Sequence, residues 1–322
     1  MSTSECESNI DLESAKMSVT AAVFYGLCSG SMAFINKLVV STYSFQFPNF
    51  IILCQMMFTA SLLEILRRNK IVNVPAYTLE LGKVLLIPSV FYTFHSVFAL
   101  SALGTMNIPM YNVIKRCVPL VNLFIAPFIL KKGPPTVAIA CSVTLITVGC
   151  IIAGMGDIQF SLASYIYGGA SVFSQALYLL FIQKTGMERE ISALGVLFVN
   201  SVNCVPLLLG YNLLSLELFR AFTFPEITNP LFLAAFLLVI VMGCVLNYSL
   251  FLCTTLNSAL TTSLVGVIKG IITTAIGMFT FWGVEPTLMI LTGIIMNTVG
   301  GVWYSWIKYQ EKMAKSNSVI HT

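Results

Sequence analysis

Ten apolar runs of about 20 residues each follow one another through the chain, divided by short polar breaks. A run of that length spans the hydrocarbon of a bilayer as a helix. The runs cover about 19–40, 48–66, 84–103, 108–130, 136–153, 162–182, 192–213, 231–253, 258–281 and 287–307. Charged residues make up only 9% of the chain and hydrophobic ones 57%, whereas a soluble domain carries about 25% charge. The expectation is an all-α membrane protein of ten transmembrane helices with nothing left over for a soluble domain. Eight of the nine cysteines lie inside the runs, in no spacing that suits a disulfide framework or a zinc site. The first 18 residues are polar and acidic, unlike a secretory signal with its basic start and short core.

The basic residues orient the spans. With the amino terminus in the cytosol, that side holds Lys16, Arg67, Arg68, Lys70, Lys83, Lys131, Lys132, Lys184, Arg189, Lys308, Lys312 and Lys315, twelve of the 17 cations. The far side holds only Arg220, against Asp157, Glu217, Glu226 and Glu285. Such an excess follows the positive-inside rule and puts both termini in the cytosol, which an even number of spans requires.

Short matches recur in one order across the chain. Val113-Ile114-Lys115 recurs as Val267-Ile268-Lys269, Pro135-Thr136 as Pro286-Thr287, and Thr147-Val148-Gly149 as Thr298-Val299-Gly300. They divide the chain into a cytosolic tail (1–18, read as disordered), a first five-helix repeat (19–157), a second (158–308) and a tail (309–322). Five is odd, so the second repeat enters the membrane from the opposite side. Inverted repeats of this kind are typical of alternating-access carriers.

Four cations lie within spans: Lys37, Lys115, Arg116 and Lys269. A lysine at mid-depth costs about 2.5–3.5 kcal/mol on insertion scales and marks function by default. Lys115 is eight residues past Asn107, about 12 Å into its helix at 1.5 Å per residue. Lys269, about eleven residues past Ser258, is comparably deep. No acid lies deep in any span, so an incoming anion is the expected counter-charge, and two or three cations suit a diphosphate. Lys37, near the far end of the first span, either snorkels or joins the site. Arg116 either grips phosphate or bonds backbone carbonyls. Tyr111 and Asn112 share a helix face with Lys115. Ser263 and Gly266 precede Lys269 and leave room for a ligand. Asn200, in FVNSVN, can read a donor and an acceptor on a base edge, or bridge helices. His95 stands alone in the third span and reads as a packed, hydrogen-bonded histidine.

The stretches AVFYG and Asn36-Lys37 in the first span, IPMYNVIKRCVPLV in the fourth, AGMGD after the fifth and NSALTTSLVGVIK in the ninth resemble the nucleotide-sugar transporters. The family is solute carrier family 35, subfamily D being most similar, in the drug/metabolite transporter superfamily. The related GDP-mannose carriers have FYNN in the seventh helix and GALNK in the ninth. Here FVNS keeps Phe198 and Asn200 but lacks the tyrosine and second asparagine, and the lysine falls one residue early. The resemblance implies an antiporter that exchanges a cytosolic UDP-sugar for lumenal UMP. It adds Asn36 to the candidate site and places the protein in the Golgi, with the endoplasmic reticulum or another vesicle as alternatives. No enzyme activity, cofactor, metal or nucleic-acid partner is expected, and a homodimer stays open. The competing readings are a carrier of another phosphorylated or organic anion on the same fold, and a non-transporting membrane scaffold.

Overall fold

The chain is described here as a computed structural model covering residues 3–131, 135–157, 161–188, 191–256, 259–280 and 287–320. Within these, the side chains of 3–16, 183, 186–188, 193, 251, 254–256, 259–264, 267 and 312–320 are left aside. The described residues are helical throughout, apart from turns and short connections. The helices are α1 (Thr3–Lys37), α2 (Pro48–Arg68), α3 (Leu79–Val84), α4 (Leu86–Thr105), α5 (Ile108–Lys115), α6 (Val118–Leu130) and α7 (Val137–Met155). There follow α8 (Leu162–Glu188), α9 (Ala193–Leu214), α10 (Glu217–Phe222), α11 (Pro230–Leu256), α12 (Ala259–Gly277) and α13 (Leu288–Ile320). Helix continues into both stretches read as terminal tails.

Among the described residues nine helices are long and apolar enough to cross a membrane, one of them made of α5 and α6 together (Ile108–Leu130). The chain is thus a multi-pass membrane protein. The expected ninth span, 258–281, corresponds to α12, of which a shorter apolar piece, Ile268–Gly277, counts among the described residues.

Local chemistry explains the boundaries near Lys115. The carbonyl side chain of Asn107 accepts from the Met110 backbone N–H at 2.9 Å, and Pro109 falls in the first turn, where its missing N–H is harmless. α5 then ends after eight residues. Pro119 lacks the N–H that would bond the Lys115 carbonyl four residues back, and its ring crowds that carbonyl. The chain turns through Arg116 and Cys117 and restarts as α6. Two cations therefore sit at a break within one span.

Packing is paired. α4 lies on α8 and α1 on α11; α5 and α6 lie on α8 and α12 on α1; α2 lies on α9, and α7 on α13. The last pair is the tightest. A Cβ added at Gly149 would stand 2.5 Å from the Asn297 backbone nitrogen, and one at Gly300 would stand 2.9 Å from that of Ile146. Small residues let membrane helices approach to backbone contact, where dispersion and interhelical hydrogen bonds hold them. At the end of the bundle where α1 passes into α2, Phe45 is 1% exposed. It is ringed by Phe47, Phe50, Phe224, Phe232 and Phe236 at centroid distances of 4.9–6.2 Å. The Asn49 amide donates to Glu217 across the same end at 2.7 Å.

Candidate functional site

The four cations within spans meet very different surroundings, and none has a carboxylate partner among the described residues. The ion pairs found there are Glu64 with Arg67 and Arg68, and Lys308 with Glu311. Lys37 is buried and donates to two backbone carbonyls at the end of α4, Leu103 at 2.8 Å and Met106. A cation at a helix C-terminus bonds carbonyls that have no helical donor and opposes the helix dipole. A five-residue π-helical turn, Leu38–Thr42, follows it directly.

Arg116 reaches α13. Its Nη1 donates to Thr298 Oγ1 at 2.6 Å and Asn297 Oδ1 at 3.3 Å. Asn297, fully buried, donates through Nδ2 to the carbonyls of Ile146 at 3.0 Å and Val113 at 3.4 Å. One amide thus joins α5, α7 and α13 and holds the guanidinium. Nη2 of Arg116 is buried without a partner, and a Cβ on Gly270 would stand 3.0 Å from it. The glycine leaves α12 open to the guanidinium. Asn112 ties the same helices by donating to Thr273 at 3.0 Å and Thr274 at 3.2 Å.

Lys115 and Lys269 are held more lightly. Lys115 Nζ lies 3.4 Å from His95 Nε2 and 5.6 Å from the Tyr111 ring centroid. Lys269 Nζ donates to Ser29 Oγ and stands 6.0 Å from the Tyr25 ring centroid. The two lysines stand on helices that pack against each other, Lys115 on α5 and Lys269 on α12. Each ammonium has three donors, and each lysine here meets one neutral acceptor and one aromatic face. Like charges brought together in a poorly polar interior repel. An anion placed between them relieves that repulsion and supplies acceptors for the remaining N–H groups.

The other expected site residues divide. Asn200 is 2% exposed with its Oδ1 unpartnered, and the Oδ1 of Asn36 is also buried without a partner. A Cβ on Gly266 would meet nothing within 4 Å, so space is open there. Ser263 lies on α12, with its side chain outside those described. The sequence reading missed Asn297 and Thr298, as well as Ser29 and Tyr25. Asn297 and Thr298 carried a signal, because Thr298 belongs to the repeated Thr-Val-Gly and Asn297 is an amide in an apolar run. Ser29, in an apolar span full of small residues, carried none. His95 was singled out as a packed, hydrogen-bonded histidine. It is hydrogen-bonded, and it also touches Lys115.

Comparison with known proteins matches the chain to transporters. The chain is 40% identical over 309 residues to UDP-galactose/UDP-glucose transporter 7 of Arabidopsis thaliana, covering 94% of this chain and 93% of that one. It is 28% identical to the UDP-N-acetylglucosamine transporter UGNT1 of the same plant, covering 91% and 88%. It is 29% identical to the human nucleotide sugar transporter SLC35D2, covering 91% and 87%. The model of the triose-phosphate transporter family matches residues 15–305, which include every cation of the site. With that extent of match, and identity of 40% over nearly the whole of a relative, the chain belongs to the triose-phosphate transporter family.

Proposed function

We propose that the protein is a nucleotide-sugar antiporter that moves a UDP-sugar from the cytosol to the lumen of the secretory pathway in exchange for UMP. The observation that carries this reading is the pair Lys115 and Lys269, half-buried in apolar spans with neutral partners only. A diphosphate carries the charge such a pair lacks. The unpartnered carbonyl oxygen of Asn200 suits the imide N–H of uracil. The names of the relatives, two of them for UDP-sugars, support that choice of base. Lys37, with its donors on backbone carbonyls, belongs to the scaffold in this account. Arg116 contributes through the donors other than Nη1, Nη2 among them.

Ten spans in two inverted five-helix repeats, with both termini cytosolic, form the frame of the proposal. Its support lies in the packing. Exchanging the halves turns the pair α1–α11 into α8–α4 and α1–α12 into α8 with α5 and α6, while α2–α9 and α7–α13 map onto themselves. The two broadly symmetric halves rock about the lysine pair. An empty site with two uncompensated cations reorients reluctantly, and a bound pyrophosphate or monophosphate removes the penalty, so loaded states cross and empty ones do not. The membrane is that of the Golgi, with the endoplasmic reticulum or other vesicles as alternatives.

Purified protein in proteoliposomes tests the reading. Uptake of labelled UDP-glucose or UDP-galactose is expected only with UMP inside, and loss of uptake is expected in Lys269→Met. Equal uptake into empty vesicles, or into vesicles loaded only with a triose phosphate, would refute UMP antiport.

A further inference from the structure

We infer that His95 is a positioning residue that aims the Lys115 ammonium at the ligand, and that its neutrality is what suits it to the task. The inference rests on the reading of Lys115 as a phosphate-binding cation. His95 stands on α4 and is fixed against α8. Its Nδ1 lies 3.1 Å from both the backbone carbonyl and the hydroxyl oxygen of Ser171, and the Ser171 hydroxyl donates back to the His95 carbonyl at 3.2 Å. A backbone carbonyl can only accept, so Nδ1 carries the ring hydrogen and Nε2 presents a bare lone pair. That lone pair faces Lys115 Nζ at 3.4 Å. α5 is brought to this place by Gly168, where a Cβ would stand 3.1 Å from Ile114.

The chemistry of the acceptor matters. A lysine side chain has four rotatable bonds, and ordering it at the moment of binding weakens binding. A partner that orders it beforehand removes part of that loss. A carboxylate would do so but would also cancel the charge and compete with phosphate. An imidazole lone pair holds the ammonium and leaves its charge intact. At 3.4 Å the bond is longer than an ordinary N–H to acceptor distance, so it yields easily. The Tyr111 ring steadies the same ammonium from its own helix, four residues away. Two of the three N–H groups stay free for the ligand.

The test is UMP binding to the purified full chain, titrated to millimolar concentration and read as a thermal shift, with exchange kinetics alongside. His95→Leu removes the acceptor and is expected to raise the UMP Kd about 2–10-fold, with the maximal exchange rate within about two-fold. His95→Gln, which keeps a neutral acceptor, stays within about two-fold of wild type. His95→Glu weakens UMP at least as much as His95→Leu. In a Lys115→Met background, His95→Leu has no further effect on Kd. A role in packing alone would persist in that background, and so would direct contact of His95 with the ligand, so either persistence overturns the inference. Equal affinity of His95→Glu and His95→Gln also overturns it, and that comparison stands if His95→Leu fails to fold. Wild-type affinity in Lys115→Met would instead overturn the reading of the lysine site itself.

Discussion

Lys115 and Arg116 are adjacent in the chain, at the break between α5 and α6, and they face opposite ends of a scale of constraint. Arg116 points to α13, where Thr298 and Asn297 accept from it, and where Asn297 in turn bonds Ile146 and Val113. Lys115 points to α4, where a single imidazole nitrogen stands at 3.4 Å. Lys37 resembles Arg116, with backbone carbonyls as partners. Lys269 resembles Lys115, with one hydroxyl and one ring. In the proposed reading, a cation held by fixed acceptors, as Arg116 is through Nη1 and Lys37 through Nζ, acts as a brace. One that keeps free donors, as Lys115 and Lys269 do, is in the proposed reading a receptor for an anion. Depth in the bilayer does not separate these roles, and partner chemistry does.

The junction and the lysine site should therefore respond differently to substitution. Asn297→Leu takes one of its two acceptors from the Arg116 guanidinium, leaving Thr298, and removes the donor to the carbonyls of Ile146 and Val113. Each buried polar group left without its partner costs about 1–3 kcal/mol, so the loss of three bonds is expected to be the largest of the set. The loss should appear as a lower Tm for the purified protein, and UMP should still raise the Tm of the fraction that folds. Lys37→Met frees the carbonyls of Leu103 and Met106. A loss of about 1–3 kcal/mol is expected, with the UMP Kd unchanged, and a raised Kd would move Lys37 from the brace to the site. Two glycines give the last contrast, which ends on the smallest effect. Gly149→Ala drives a methyl into the α13 backbone and destabilises by about 1–3 kcal/mol. Gly266→Ala meets open space and improves helix propensity, a gain of about 0.5–1 kcal/mol. Equal melting of the two glycine variants would mean that the crossing and the site are equally loose.

The sequence showed the spans and the deep cations because both depend on the bilayer. Twenty apolar residues cross it whatever they pack against, and a lysine among them stands out. It also offered protein groups as one of two partners for Arg116, but not which ones, because Asn297 lies 181 residues away and only the fold brings it near. Backbone carbonyls were the alternative to phosphate in that reading, and the partners are side chains on α13. For Lys37 the choice was snorkelling or binding, and neither anticipated the carbonyls of α4. His95 was legible as hydrogen-bonded but not as a neighbour of Lys115, since nothing in residue spacing tells which face of α4 meets α5. The break after Lys115 was written in Pro119 and could have been found by asking which carbonyl loses its donor.

The most direct measurement is paired melting of Lys115→Met and Lys269→Met with and without UMP. Replacing a half-buried cation that has no counter-ion by an apolar side chain of similar length removes a desolvation cost. The account predicts that each variant melts at or above the wild-type temperature without ligand and loses the stabilisation by UMP that wild type shows. Variants that melt lower yet keep the full UMP shift would contradict it, because the two lysines would then be braces like Arg116 and the anion would bind elsewhere.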